Sequence, residues 1–101
     1  MTSPQVDFAA TNAAALAVLP SILHRWLPDG HTIGHEYTAR NPTRNDRHAG
    51  SFKINICTGR WADFATGDVG GDPISLAAYL GGISQGEAAR RLATMLGGLN
   101  G

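Results

Sequence analysis

Residues 59–72 read GRWADFATGDVGGD: one tryptophan and one phenylalanine among small residues, with three acids and four glycines. The stretch decides the fold because of what stands on either side. Upstream, SFKINI (51–56) alternates, with Phe52, Ile54 and Ile56 on one face and Lys53 and Asn55 on the other, the period of a half-buried strand. Thr58-Gly59 is a turn signal, so RWADF is expected to return as the antiparallel partner. A strict two-residue loop would set Ile56 opposite Trp61 and Ile54 opposite Asp63. An acid facing isoleucine on a core face is awkward, so a bulge or an early strand end is expected there. Downstream, Asp72 is a good N-cap and Pro73 suits the first helical position.

The rest of the chain frames this hairpin with helices. FAATNAAALAVL (8–19) is alanine-rich and helix-prone. Pro20 either kinks that helix or opens the next one. PSILHRWL then places Ile22, Leu23, Trp26 and Leu27 on one face, and Pro28-Asp29-Gly30 ends it. Residues 31–36 read as loop or the approach to a strand. HEYTARNP begins as a short strand that must leave the ladder near Pro42, and 41–50 is a polar loop. PISLAAYL reads as a helix ending at Gly81-Gly82. Ser84 and Glu87 form a capping-box pattern, with Ile83 before it as a staple against Ala88. Ala88, Leu92, Met95 and Leu96 share one face of a last helix that Gly97-Gly98 is expected to stop. The class is α+β: a small antiparallel sheet flanked by N-terminal and C-terminal helices, with 1–101 as a single domain.

Composition bounds the chemistry. At 101 residues and 43% hydrophobic content the chain suits one modest core. Cys57 is the single cysteine, which excludes an intramolecular disulfide and a multi-cysteine zinc site and fits a cytoplasmic setting. The opening MTSPQ has no basic segment followed by an apolar run, and no stretch approaches the length of a membrane span. Net charge is zero but unevenly spread: residues 40–60 carry +4, and the segments before and after carry −2 each. The island is either a solvated polar loop or an electrostatic footprint for phosphates.

His31 and His35 are four apart, but Gly30 and Gly34 argue against the helix that would align them as ligands, and no third ligand is evident. Loop histidines facing solvent are the simpler reading. Cys57 lies next to a turn; a reactive thiol there needs an identifiable base or a positive setting, of which Arg60 could supply some, and a catalytic role is not expected. GDVGGD before a helix looks like a phosphate cradle, but Asp68 and Asp72 would repel the anion, so a tight turn feeding a helix is expected. No cofactor motif or catalytic constellation is present.

The order of residues 41–96 resembles the N-terminal zinc-binding domain of DnaG-type bacterial and phage DNA primases. That family has a C-P-x-H pair, an S-F strand, an aromatic before C-x-x-C, then Gly-Gly-Asp opening a helix and a later E-A-x-x-x-L helix. Here NPTR (41–44), SFKI (51–54), WADFAT (61–66), GGDPISL (70–76) and EAARRLA (87–93) stand at those places. The resemblance implies a core over 37–96 with the segment 8–27 added to it. All four metal-ligand positions differ, being Asn41, Arg44, Asp63 and Thr66. Arginine stays protonated and offers no lone pair, so this set holds no zinc. The resemblance therefore implies a zinc-ribbon relative without metal, like those of plasmids, phages and other mobile elements. At the same turns, Asp63 is expected to pair with Arg44 while Asn41 and Thr66 bond into one polar knot; alternatively the four positions are solvent-exposed loop.

The function so implied is a non-catalytic module for single-stranded DNA in replication or primer synthesis. Arg40, Arg47, Lys53, Arg60 and, ranked last because of the knot, Arg44 would contact phosphates. Trp61 would stack a base unless it is core. Three to five such contacts predict a salt slope of about −2 to −3.5. The alternative is a docking subunit of a polymerase, primase or helicase. It would use the apolar face of 8–27 (Leu16, Leu19, Ile22, Leu23, Trp26), unless that face covers the protein's own sheet.

Overall fold

The computed structural model describes residues 6–44 and 50–100. The chain forms four helices and five strands in the order α1 (Phe8–Ala17), α2 (Leu19–Trp26), β1 (His31–Ile33), β2 (Glu36–Ala39), β3 (Phe52–Asn55), β4 (Trp61–Asp63), β5 (Val69–Gly70), α3 (Pro73–Gly81) and α4 (Gln85–Asn100). The strands make one antiparallel meander, β1-β2-β3-β4-β5. The class is α+β, as the alternating and helical periods require.

Each helix begins where the local chemistry allows. Asp7 caps α1 through Ala10 N–H at 3.0 Å. Val18 separates α1 from α2, and Pro20 sits in the first turn of α2, where its missing N–H costs nothing. Asp72 accepts from Ser75 N–H at 2.7 Å, and Ser75 Oγ lies 3.3 Å from Asp72 N, a reciprocal capping box. Gly82 ends α3 in the left-handed conformation. Ser84 receives Glu87 N–H, but the Glu87 carboxylate turns to Arg90 (2.7 Å) and Arg91 (3.1 Å), so only half of the second expected box forms.

The helices bury one face of the sheet. Leu19, Ile22, Leu23 and Leu27 of the α2 region, Tyr37, Ala39, Phe52, Ile54 and Trp61 of the sheet, and Ile74, Leu76, Ala88, Ala89, Leu92 and Leu96 of α3 and α4 form one core. The apolar N-terminal face therefore covers the protein's own sheet, with Leu16 and Trp26 at its partly buried margin. α1 packs on α3 and α4. Its Asn12 Oδ1 accepts the Ile74 N–H at 2.9 Å, which satisfies a free donor of the α3 first turn. Tyr37 donates its phenol to the Leu27 carbonyl at 2.5 Å and meets His24 edge-on, locking the end of α2 to β2.

Four expectations change. Residues 31–33 are a strand, because Gly34 (φ 61°) turns the chain back into β2. Val69–Gly70 adds a fifth strand. The β3–β4 connection is longer than Thr58-Gly59, with Asn55 N–H donating to Arg60 O and Gly59 N–H to Asn55 O. That moves the register by two residues, so Ile54 faces Trp61 and Phe52 faces Asp63. The strand ends at Asp63, and the acid lies on the core face after all. Finally, α4 continues through Gly97-Gly98 to Asn100.

Gly70 shows how tight the central packing is. A Cβ there would meet the Trp61 ring nitrogen and the Ser75 hydroxyl, which bond each other at 2.9 Å. Gly70→Ala is expected to cost about 2 kcal/mol through overpacking, read as a lower urea midpoint with an unchanged slope. An unaltered midpoint would show that the Trp61–Ser75 contact is not part of the stabilising core.

Candidate nucleic-acid interface

The sheet has two faces with different contents. On the helix side, at the end of β4, Asp63 has a fully buried side chain, and a buried carboxylate requires compensation. Its Oδ2 accepts from Asn41 Nδ2 (2.8 Å) and Arg44 Nε (3.0 Å), while Oδ1 accepts from Arg44 Nη2 (3.3 Å), Ala65 N–H (2.8 Å) and Thr66 N–H (3.3 Å). Asn41, 1% exposed, spends its second amide proton on Tyr79 OH (2.8 Å). Its oxygen accepts from Thr43 N–H (2.9 Å) and Thr43 Oγ1 (2.7 Å). Arg44 also donates to Ser51 Oγ (3.0 Å), and Tyr79 donates to Asp68 Oδ2 (2.8 Å). The knot ties the loop after β2 to β4 and α3.

All four residues expected in this knot bond into it. Thr66 contributes only its backbone N–H, because its hydroxyl accepts from Asp68 N–H at 3.2 Å. Tyr79, Thr43 and Ser51 complete the network and were not evident from sequence, since the loop and α3 that carry two of them are brought to Asp63 only by folding. Burial alone would raise the Asp63 pKa. The hydrogen bonds from Asn41, Arg44 and Ala65 N–H, with the Arg44 charge, outweigh it and hold the carboxyl at about 2, down from 3.8.

Among the described residues, the helices pack on the one side, and no helix covers the opposite face. The register lines up His31, Thr38, Lys53, Ala62 and Val69 across the five strands. Beside them Glu36 pairs with Asn55. A shallow cleft of about 180 Å3 on this face is lined by Glu36, Lys53, Asn55, Arg60, Trp61, Ala62 and Phe64. Phe64 is 71% exposed and Val69 70%. Lys53 Nζ lies 3.9 Å from Glu36 Oε1, and Arg60 makes no ion pair among the described residues.

This geometry sorts the expected phosphate contacts. Lys53 and Arg60 share the cleft. Arg40 lies at the end of β2, where its backbone N–H and its side chain both engage Asp29, at 3.1 and 3.7 Å. Arg44 is committed to Asp63, so it is withdrawn from the phosphate path. Arg47 lies outside the described residues. Trp61 is a correction: it is 5% exposed, donates Nε1–H to Ser75 and packs against Tyr79 at 4.5 Å between ring centroids, so it cannot receive a base. The exposed aromatic in the cleft is Phe64. Strand alternation sends Trp61 and Asp63 inward and Ala62 and Phe64 outward, and a two-residue register shift leaves each on its face, so this signal in the sequence could have found Phe64.

His31 opens β1 and His35 lies in the β1–β2 turn, with His35 Nδ1 3.3 Å from Cys57 Sγ. Among the described residues, no three histidine, cysteine or carboxylate side chains converge as a metal site would require. Asp72 is occupied in capping α3, so GDVGGD is a turn into a helix and not an open cradle. No helix among the described residues is long and apolar enough to cross a membrane. Comparison with protein-family models, curated proteins and solved structures finds no match.

The knot makes a pH prediction of definite sign. The Asp63 pKa is lowered on folding, so its stabilisation is complete above about 4 and is lost as pH falls towards 2. Asp63→Asn is expected to cost about 2–4 kcal/mol at pH 7 and to flatten the fall in stability between those values. Arg44→Met should be at least as damaging, because it leaves the carboxylate buried without its counter-charge. Unchanged melting temperatures for both variants would show that the knot does not hold the fold.

Proposed function

We propose that this chain is a non-catalytic module that binds single-stranded DNA during replication or primer synthesis. The single observation that carries the reading is the helix-free sheet face, where Lys53, Arg60 and the exposed Phe64 line one cleft. Single strands are held by cations tracking the backbone and by aromatic side chains on which bases stack, and this face presents both. The resemblance of residues 41–96 to the zinc-binding domain of DnaG-type primases supports the same task and a mobile-element setting. In that reading, the Asn41–Arg44–Asp63 knot does the work of tying loops together that a metal does elsewhere.

A second reading is a docking subunit of a polymerase, primase or helicase. It is favoured by an apolar groove of about 300 Å3 where Trp26 meets α3 and α4, lined by Ala77, Leu80, Ile83, Leu92 and Met95.

Titrating a fluorescein-labelled single strand of about 20 nucleotides and following anisotropy separates the two. Binding should weaken with salt, with a slope of about −1.5 to −2 for two or three phosphate contacts. Phe64→Ala should cost about tenfold in affinity with the slope unchanged, whereas Lys53→Ala and Arg60→Ala should each reduce the slope by about 0.7. No binding at tens of micromolar in low salt would sink autonomous DNA binding and leave docking as the function.

A further inference from the structure

The groove where Trp26 meets α3 and α4 joins small residues to large ones. Ala77, Gly81 and Ala88 take up little of its space, while the large side chains of Trp26, Leu80, Ile83 and Met95 stay only partly buried around it. Along α4 the lining runs from Ala88 to Met95, seven residues and about 10 Å of helix axis. Over that same distance a helix laid alongside presents its anchors at i, i+3, i+4 and i+7. Met95, unbranched and flexible, can adapt to what it meets.

Arg91 is the one charged residue in this lining. Its side chain is 68% exposed and gives only Nε–H to Glu87, at 3.1 Å. The same Glu87 carboxylate receives Arg90 Nη2 at 2.7 Å, so one acid serves two guanidinium groups. The two Nη groups of Arg91 donate no hydrogen bond among the described residues. A polar hollow of about 320 Å3, lined by Glu87, Arg90, Arg91 and Thr94, shares Arg91 with the apolar groove. The helices that form the groove, α2, α3 and α4, hold Arg25, Arg90 and Arg91 against Glu87 alone, and Arg25 makes no ion pair among the described residues. In a chain of zero net charge, this helical layer is basic.

We propose that the groove docks an acidic amphipathic helix of a partner protein. Its apolar anchors pack between Trp26, Leu80, Ile83 and Met95, and a carboxylate beside them takes the Nη groups of Arg91. The proposal deepens the docking reading given above and rests on it. A guanidinium offers a carboxylate two N–H donors side by side, and an ionised carboxylate only accepts. A basic helix would instead set its charges against Arg25, Arg90 and Arg91, a like-charge juxtaposition that disfavours it.

The test uses the full chain and two fluorescein-labelled synthetic helical peptides of about 18 residues, both with leucine at i, i+3, i+4 and i+7. One carries glutamate at the flanking positions and the other lysine. By anisotropy at low salt the glutamate peptide should bind at least about tenfold more tightly, and its binding should weaken as salt is added. Arg91→Glu should reduce that preference below about twofold or reverse it, with Arg91→Gln as the second variant should the reversal unfold the chain. Ala77→Trp, which fills the groove, should abolish the binding of both peptides. Equal affinities in the unaltered protein, tighter binding of the lysine peptide, or a preference that survives both Arg91 variants would overturn the acidic assignment and leave docking standing. Binding that survives Ala77→Trp would overturn the groove as the site, and a dimer in sedimentation that Ala77→Trp dissolves would give the groove to a second copy of the chain. Binding of neither peptide at hundreds of micromolar would remove the docking reading as well.

Discussion

Asp63 sits where an apolar residue would be the easy choice. It ends strand β4, faces Phe52 across the ladder, and has no exposed side-chain surface. A carboxylate there is tolerable only if its lone pairs are filled and its charge is balanced, and the surroundings are arranged to do both. Two N–H groups come from the turn that follows it, and the rest of the donors come from the loop after β2. That loop is otherwise a polar run with nothing to bury. Asn41 reaches on to Tyr79, so one buried acid fixes the ends of the sheet to α3. Because removing either partner leaves the other buried and unpaired, the arrangement is cooperative, and it specifies the geometry of the turns more than it adds net stability.

The helices and the knot together use up one face of the sheet. Trp61, the aromatic most conspicuous in the sequence, goes to that side and is held by Ser75 and Tyr79. The basic island of residues 40–60 does not survive folding as a unit: Arg44 turns to the knot, Arg40 turns to Asp29, and Lys53 and Arg60 stay on the open face. What that face presents is therefore a mixed surface with an aromatic at one end, two cations and one acid. A surface of that kind suits contacts that choose among ligands better than plain charge attraction does.

Much of the architecture was legible because it depends on neighbours in sequence. The caps at Asp72 and Ser84, the proline at the start of α2, and the alternation of Phe52 and Ile54 all act over one to four residues. The pairing of Asp63 with Arg44 and Asn41 was also within reach, through the resemblance at those positions. The hairpin register was not. A two-residue loop and a longer one are both compatible with CTGR, and the choice between them moves Asp63 opposite a different residue. The extension of α4 through two glycines likewise overrides their weak helix propensity.

By itself, the sequence determined the α+β class, the order of the central elements and the helix starts, since periodicity and capping are written in residue identity and spacing; the polar knot was one of two alternatives at positions that the resemblance marked out. Only the tertiary structure decided which aromatic is core and which is free, which cations are left on the open face, and that Glu36 joins them in one cleft. Those outcomes turn on which sheet face the helices cover and on the pairing that sets β2 beside β3 and β4. Both are settled by the long-range burial of α2, α3 and α4 against Tyr37, Phe52, Ile54 and Trp61, which no local signal encodes.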